Sequence, residues 1–244
     1  RKLIQMSSKK KLKGWTSLQN RYNLATSKLK SEIKLKSIGK INLVDCMMLW
    51  HRDKKYYFNN WRGKYSSDGG VLTNQAIHLL DTLIFNFGKI SNFDVYADFN
   101  KNKLQAEDLI LINFRHENGI LSSFKATTRA NKNYRSAIDV VGEKGRIIVK
   151  GISLNTFSKF KKNKLVLEKK FSEDFGENLG AAGGMGFGHK KILKEFLTKD
   201  KKSSKKLEIR ENYYLLKVIH SIYNNIHKRK KFNLVKNRQS ILGV

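Results

Sequence analysis

Asn74, His78 and Asp81 are the residues of this chain whose types and spacing point most directly to acid–base chemistry. They stand at i, i+4 and i+7, so a helix would carry an amide, an imidazole and a carboxylate on one face. An imidazole titrates near neutral pH, which suits a general acid or base acting on a substrate hydroxyl. The alternative is a buried, purely structural histidine whose ring bonds Asp81 or Asn74. Both alternatives remain open at this point.

The helix that must position these side chains is predicted over residues 70–87 and ends at Gly88. Its apolar positions occupy other faces of the helix: Ile77, Leu80, Ile84 and Phe87. The polar line is therefore expected to face a cavity, a seam or solvent. Gly69 and Gly70 precede the helix, and two residues without a side chain would let its start approach a ligand closely.

Other catalytic and ligand-binding motifs are missing from the sequence. Gly184, Gly186 and Gly188 give G-x-G-x-G and not the dinucleotide fingerprint G-x-G-x-x-G, so this glycine-rich stretch is predicted to be a loop. It ends in His189, which could border a ligand. There is no P-loop, no G-x-S-x-G elbow and no zinc-ligand spacing, and no metal is expected. Cys46 is the single cysteine, which excludes an internal disulfide and favours the cytoplasm.

The composition describes a folded and strongly basic protein. Its 244 residues are 40% hydrophobic, and no apolar run is long enough to span a membrane. The net charge of +30 comes from 50 Lys and Arg against 20 Asp and Glu. One interpretation is a non-enzymatic domain that binds polyanions. The lysines are spread over the whole length, however, and no nucleic-acid-binding module is recognisable, so a solvated surface is preferred and no specific nucleic acid is expected.

The element pattern predicts an α+β fold. A helix is predicted over 24–37 and a strand over 41–50, followed by the helix at 70–87. Between 90 and 171 apolar and polar residues alternate, with hairpin turns at Asn118-Gly119 and Glu143-Lys144-Gly145. Such a meander predicts an open, largely antiparallel β-sheet covered on one face by helices.

Four segments in order along the chain resemble the glucose–fructose oxidoreductase / inositol dehydrogenase / MocA (Gfo/Idh/MocA) family. They are QNRYN (19–23), WRGKYSSDGGVLTNQAIHLLD (61–81), GKIS (88–91) and GFGHKKILKEFL (186–197). Asn74 ahead of His78, together with QNRYN, is most similar to the sugar-nucleotide branch, which includes UDP-N-acetylglucosaminuronate 3-dehydrogenases. The resemblance implies oxidation of a ring hydroxyl of a sugar or nucleotide sugar with NAD or NADP, in surface polysaccharide biosynthesis.

The resemblance also assigns roles to residues. It implies that His78 takes part in proton transfer at the oxidised hydroxyl, beside a lysine from an E-K-P motif. Substrate contacts are implied for Asn74, Trp61, Arg62, Lys64 and His189. Cofactor contacts are implied for Arg21, Tyr22 and Asn23, in a segment where the two domains of the family meet. A homo-oligomer formed through the sheet is implied as well.

The departures from the family pattern set further expectations. The dinucleotide fingerprint is absent, and the lysine of the E-K-P motif would precede Arg1. Residues 1–23 are therefore expected to be the end of an N-terminal dinucleotide-binding (Rossmann) domain, and 24–244 a C-terminal substrate-binding and oligomerisation domain. The isolated chain is expected to be inactive. The sequence contains no proline, which leaves an inert, redesigned scaffold as another alternative.

Overall fold

The fold is described from a computed structural model, which defines residues 2–12, 14–58, 61–99, 104–171, 188–198 and 207–228. The predicted loop that contains Gly184 and Gly186 lies outside these ranges. In the described part of the chain no helix is long and apolar enough to cross a bilayer.

Seven α-helices and one 3-10 helix occur in the described ranges. In chain order they are α1 (Lys2–Lys9), the 3-10 helix (Gln19–Tyr22), α2 (Leu24–Lys34), α3 (Lys54–Phe58), α4 (Val71–Asn74), α5 (Ile77–Phe87), α6 (Gly188–Thr198) and α7 (Tyr213–Lys228). Helix α1 has no buried residue.

Eight strands form one sheet. They are β1 (Ile41–Leu49), β2 (Ile90–Asp98), β3 (Leu109–His116), β4 (Leu121–Thr127), β5 (Arg135–Gly142), β6 (Gly145–Gly151), β7 (Thr156–Lys161) and β8 (Lys164–Lys170). The order is β2-β3-β4-β1-β5-β6-β7-β8, and only the β1–β4 pair is parallel. The predicted open, largely antiparallel sheet is confirmed. The meander is not continuous, because β1 lies between β4 and β5.

The strands bury one face of the sheet under the helices. On β1, Val44, Cys46 and Met48 alternate toward the core, whereas Asp45 and Met47 point to the other face. Phe124 on β4 and Ile138 on β5 pair with Cys46 on either side and are fully buried with it. Burying β1 between two partners satisfies the backbone donors and acceptors on both of its edges.

The helix predicted over 70–87 is divided into α4 and α5. The Ala76 N–H donates to the carbonyl of Val71 at 2.8 Å, which spans five residues and widens the turn around Gln75 and Ala76. The single polar face expected for Asn74, His78 and Asp81 is therefore not formed. Asn74 and His78 line the same pocket, but Asp81 does not.

Candidate active site

A pocket lies at the end of the sheet where β1 ends and β5 begins, between the 3-10 helix and the start of α5. Its polar lining comes from four elements of the fold: Gln19, Asn20, Asn74, Gln75, His78 and Ser136. Its remaining walls are aromatic, cationic or aliphatic, with Trp50, Arg52 and Tyr56 on one side. Carboxamides and a hydroxyl beside aromatic rings suit a ligand that carries several hydroxyl groups.

His78 lies in the first turn of α5, partly buried in this pocket. Its Nδ1 atom is buried and has no hydrogen-bond partner among the described residues. Burial, and to a smaller extent the neighbouring His189, lowers the pKa of His78 from 6.5 to about 4. The imidazole is therefore neutral at pH 7 and can accept a proton.

The structural alternative for His78 is not supported, because both proposed partners bond elsewhere. Asp81 accepts from Arg21, at 2.8 Å from Nε and 2.5 Å from Nη2. Asn74 accepts from the Tyr56 hydroxyl at 3.2 Å and donates to Asp68 at 2.5 Å. These contacts fix the orientation of the Asn74 carboxamide beside His78.

The 3-10 helix brings Gln19 and Asn20 to the pocket. Gln19 is 2% exposed, and its Oε1 atom has no hydrogen-bond partner among the described residues. A buried carbonyl oxygen without a donor costs free energy unless a ligand or water supplies one. Gln19 Oε1 and His78 Nδ1 are thus two unpaired polar atoms on residues of the same pocket.

Arg21 holds the 3-10 helix against α5. Its guanidinium forms the bidentate ion pair with Asp81, whose side chain is 2% exposed, and also donates to Asn212 Oδ1 at 2.7 Å. Burial raises the pKa of Asp81, and Arg21 opposes that rise. The pair therefore fixes Gln19 and His78 relative to each other.

The two other residues for which cofactor contacts were predicted also make contacts within the protein. The Tyr22 hydroxyl donates to Glu195 Oε2 at 2.5 Å, and burial together with this carboxylate raises the Tyr22 pKa. Asn23 donates to the Ser153 carbonyl at 2.7 Å and precedes α2. Neither residue lines the pocket.

None of the four predicted substrate residues outside α4 and α5 belongs to the lining of the pocket. Arg62 stacks between the Tyr56 and Trp61 rings, at 4.3 and 4.5 Å from their centroids. Trp61 is 49% exposed, and the carbonyl of Lys64 accepts from the backbone of the following turn. His189 is the second residue of α6 and is close enough to His78 to influence its pKa.

The Gly69-Gly70 turn makes a close approach to other parts of the protein. A Cβ at Gly70 would lie 2.2 Å from the carbonyl and carboxylate oxygens of Glu107. Gly69 has a φ of +69°. The backbone N–H of Gly70 donates to the Tyr223 hydroxyl at 3.1 Å. Contacts within the protein therefore account for both glycines, and close approach of a ligand to this turn stays a prediction.

Gln19, Asn20, Arg52 and Ser136 line the pocket but were not predicted as site residues. The QNRYN segment is part of the family resemblance, which assigns cofactor contacts to its last three residues. Its first two residues, Gln19 and Asn20, line the pocket, whereas Arg21 points toward Asp81. Arg52 and Ser136 lie in or beside the sheet, at the end of β1 and the start of β5. The polar, aromatic composition of 50–57 was the only signal for Arg52.

The described residues contain no cluster of three or more His, Cys, Asp or Glu that could hold a metal ion. What the pocket offers is a neutral imidazole, several amides and one guanidinium. This set can bind a polyhydroxylated, anionic molecule and exchange a proton with one of its hydroxyl groups.

Comparison with known proteins identifies the family. Residues 26–148 match the GFO/IDH/MocA C-terminal domain. No curated protein sequence matches the chain.

Solved structures of the same fold cover most of the chain. The WlbA dehydrogenase from Chromobacterium violaceum, in complex with NADH and UDP-GlcNAcA, is 26% identical, with a TM-score of 0.75 over 92% of this chain and 63% of that one. The Bordetella pertussis WlbA dehydrogenase, also with NADH and UDP-GlcNAcA, is 24% identical, with a TM-score of 0.73 over 95% of this chain and 67% of that one. A levoglucosan dehydrogenase with NADH and levoglucosan is 18% identical, with a TM-score of 0.66 over 87% of this chain and 64% of that one.

The chain thus spans about two thirds of the length of the structures it matches. The family match covers half of the chain, from within α2 into β6, and includes Arg52, His78 and Ser136 but not the 3-10 helix. The chain belongs to the GFO/IDH/MocA family of oxidoreductases.

Proposed function

We propose that this chain forms the substrate-binding and proton-transferring part of a nicotinamide-dependent dehydrogenase that oxidises a ring hydroxyl of a nucleotide sugar. The observation that carries the proposal is the unpaired Nδ1 of His78, a neutral imidazole in a pocket whose polar lining also includes four carboxamides. The WlbA dehydrogenases, crystallised with NADH and UDP-GlcNAcA, make a nucleotide sugar of the uronate type the best-supported substrate.

In this proposal His78 accepts the proton of the hydroxyl group being oxidised. Its lowered pKa keeps the imidazole neutral before the reaction, so that a ring nitrogen is free to take the proton. Asn74, fixed by Tyr56 and Asp68, orients the substrate beside it. Trp61, Arg62, Lys64 and His189 border the substrate outside the lining of the pocket.

The cofactor is proposed to be NAD or NADP, which would accept the hydride from the sugar ring carbon. The 3-10 segment fits such a group, because the buried Gln19 Oε1 is an acceptor that an amide or hydroxyl donor would satisfy. Arg21, Tyr22 and Asn23 would support the cofactor by holding this segment through Asp81, Glu195 and Ser153. No feature of the segment distinguishes NAD from NADP.

Residues 1–244 alone are proposed to be inactive. The sequence contains no G-x-G-x-x-G fingerprint to hold the pyrophosphate of the cofactor. Residues 1–23 are proposed to belong to a dinucleotide-binding domain and 24–244 to the substrate domain. Helix α1 is consistent with this division, because Leu3 and Met6 are 73% and 53% exposed. We also propose a role in polysaccharide biosynthesis. A cytoplasmic location is proposed because Cys46 is a free, buried thiol.

A homo-oligomer is proposed to form through the open face of the sheet. Large apolar side chains are exposed there in two rows across the strands, one with Tyr96 and Leu111 and one with Leu43, Leu121 and Val141, on either side of a polar row that includes Asp45 and Asn113. Exposed apolar side chains grouped on one face are typical of a protein interface. Light scattering at increasing protein concentration would test this, and a monomer at every concentration would contradict it.

The proposed function is tested by titrating the chain with UDP-N-acetylglucosaminuronic acid in a calorimeter. We expect saturable binding that Asn74→Ala weakens and that Lys144→Ala, at the opposite end of the sheet, leaves unchanged. Adding NAD+ should produce no NADH. Absence of binding would contradict the sugar site, and NADH production would contradict the proposed inactivity.

A further inference from the structure

The guanidinium of Arg52 is a cation on the wall of the His78 pocket with most of its donors unused. Its Nη1 atom donates to the His51 carbonyl at 2.6 Å and to Asn133 Oδ1 at 3.4 Å. Both bonds use the same nitrogen, and a guanidinium has five N–H donors. The other two nitrogens therefore retain donors for a ligand.

No carboxylate among the described residues neutralises Arg52. Among the described residues that line the pocket there is no Asp or Glu, and Arg52 forms no ion pair with any residue of the described ranges. Asp53, the next residue in the sequence, and Asp68, which bonds the pocket residue Asn74, accept from N–H groups instead. Asp53 accepts from the Tyr56 backbone at 2.9 Å, and Asp68 accepts from Gly63 and Asn74.

Aromatic rings hold the Arg52 side chain in place. Its guanidinium carbon lies 5.0 Å from the centroid of the Trp50 ring and 5.3 Å from that of Tyr56. Cation–π contacts of this kind orient a guanidinium without consuming its in-plane N–H donors. Arg52 is thus positioned to bind an oxyanion through two parallel hydrogen bonds.

Two other cations predicted from the sequence are placed less favourably for this role. Arg62 lies between the Tyr56 and Trp61 rings and donates to the Tyr56 carbonyl at 3.2 Å. Neither Arg62 nor Lys64 lines the pocket.

We propose that Arg52 is the specificity-determining residue of the pocket and binds the carboxylate of a uronic-acid sugar whose hydroxyl group faces His78. This inference rests on the proposed function and extends it to the charge of the substrate. A carboxylate on the sugar ring fits better than the diphosphate, because Arg52 and His78 belong to the same small pocket and so contact the same unit of the ligand.

The test compares two probes that differ only at C6 of the sugar: UDP-N-acetylglucosaminuronic acid, which carries a carboxylate, and UDP-N-acetylglucosamine, which carries a hydroxymethyl group. Dissociation constants are measured for the chain and for Arg52→Gln, Arg52→Lys and Arg62→Gln. Arg146→Gln removes the same charge at the opposite end of the sheet and is the matched control. Thermal melting shows whether each variant is folded.

We expect the chain to bind the uronate at least about tenfold more tightly than the neutral sugar nucleotide. Arg52→Gln should abolish this preference while leaving affinity for the neutral probe within about twofold. Arg52→Lys should restore part of the preference, and Arg62→Gln and Arg146→Gln should retain it.

Four results would overturn the inference. A preference that survives Arg52→Gln would exclude a role for Arg52 in binding the carboxylate. Equal weakening of both probes by Arg52→Gln would assign Arg52 to the diphosphate. Equal affinity of the unmodified chain for both probes would refute carboxylate selection but leave the proposed function intact, whereas no binding of either probe would refute both.

Discussion

A histidine lies near each end of helix α5, His78 in its first turn and His116 at the end of β3, and the two differ in their hydrogen bonds. At the C-terminal end, His116 is 1% exposed and both ring nitrogens are bonded, Nδ1 to the Gly88 carbonyl and Nε2 to the Ser122 hydroxyl, each at 2.9 Å. At the N-terminal end, Nδ1 of His78 is buried without a partner.

The two histidines differ in their hydrogen bonds, whereas their pKa values are shifted in the same direction. Burial lowers the pKa of both His78 and His116, so both rings are neutral at pH 7. Only His78 leaves a buried ring nitrogen without a partner in the described protein. A satisfied ring stabilises the fold, whereas an unsatisfied ring costs stability and is retained for another reason.

The largest effect is expected from the ion pair that fixes the pocket end of α5. Replacing Asp81 with Ala leaves the buried Arg21 guanidinium without its carboxylate, and it should lower the free energy of unfolding by about 3–5 kcal/mol. Denaturant unfolding measures the loss. The control is Asp139→Ala, which breaks the more exposed pair with Arg146 and should cost about 0–1 kcal/mol. Equal losses for the two variants would show that Arg21 does not anchor the 3-10 helix.

A pH effect is expected from Glu107, the buried carboxylate beneath the start of α4. Its Oε1 accepts from Leu72 N–H and the Tyr223 hydroxyl, but its Oε2 has no partner in the described protein. Burial raises its pKa from 4.5 to about 7, with a further rise from Asp108. The folded state therefore holds this proton more tightly, and stability is lost as pH rises from about 4.5 through 7, by up to about 3 kcal/mol.

Glu107→Gln removes this titration and keeps the Oε1 acceptor. The stability of the variant relative to the unmodified chain should therefore increase between pH 5 and pH 8. Tyr65 and Tyr223 also face this carboxylate, but burial raises their pKa values further above 10, so they stay neutral over this range. A constant difference between the two proteins across this range would show that Glu107 is already ionised at pH 5.

The smallest effect, and the one that tests the comparison of histidines, comes from truncating each of them. His116→Ala leaves the Gly88 carbonyl and the Ser122 hydroxyl unpaired, and it should lower the free energy of unfolding by about 1–3 kcal/mol. His78→Ala breaks no hydrogen bond through Nδ1 and should cost about 1 kcal/mol or less. Denaturant unfolding at pH 7 compares them directly, and a larger loss for His78→Ala would reverse the assignment of roles.

The sequence predicted the local features of the fold better than the long-range ones. The hairpins at Asn118-Gly119 and Glu143-Lys144-Gly145 follow from turn chemistry and are present between β3 and β4 and between β5 and β6. The insertion of β1 between β4 and β5 could not be predicted, because strand order depends on pairing between distant segments.

In the candidate site, too, the local features could be predicted and the long-range contacts could not. The helical spacing identified His78 and Asn74, which line one pocket. It did not predict that Asp81 bonds Arg21, a contact across 60 residues. Arg52 lies after the end of β1, where side-chain direction depends on how the loop packs, and no local pattern distinguishes it from Arg62.

The most direct test of the central claim follows the imidazole resonances of both histidines by NMR while UDP-N-acetylglucosaminuronic acid is added to the chain. We expect that the His78 resonances shift saturably, that His78 titrates well below pH 6 in the free protein, and that His116 does not respond to the ligand. If the His78 resonances do not move, or if His78 titrates near its ordinary pKa of 6.5, this pocket is not the substrate site proposed for it.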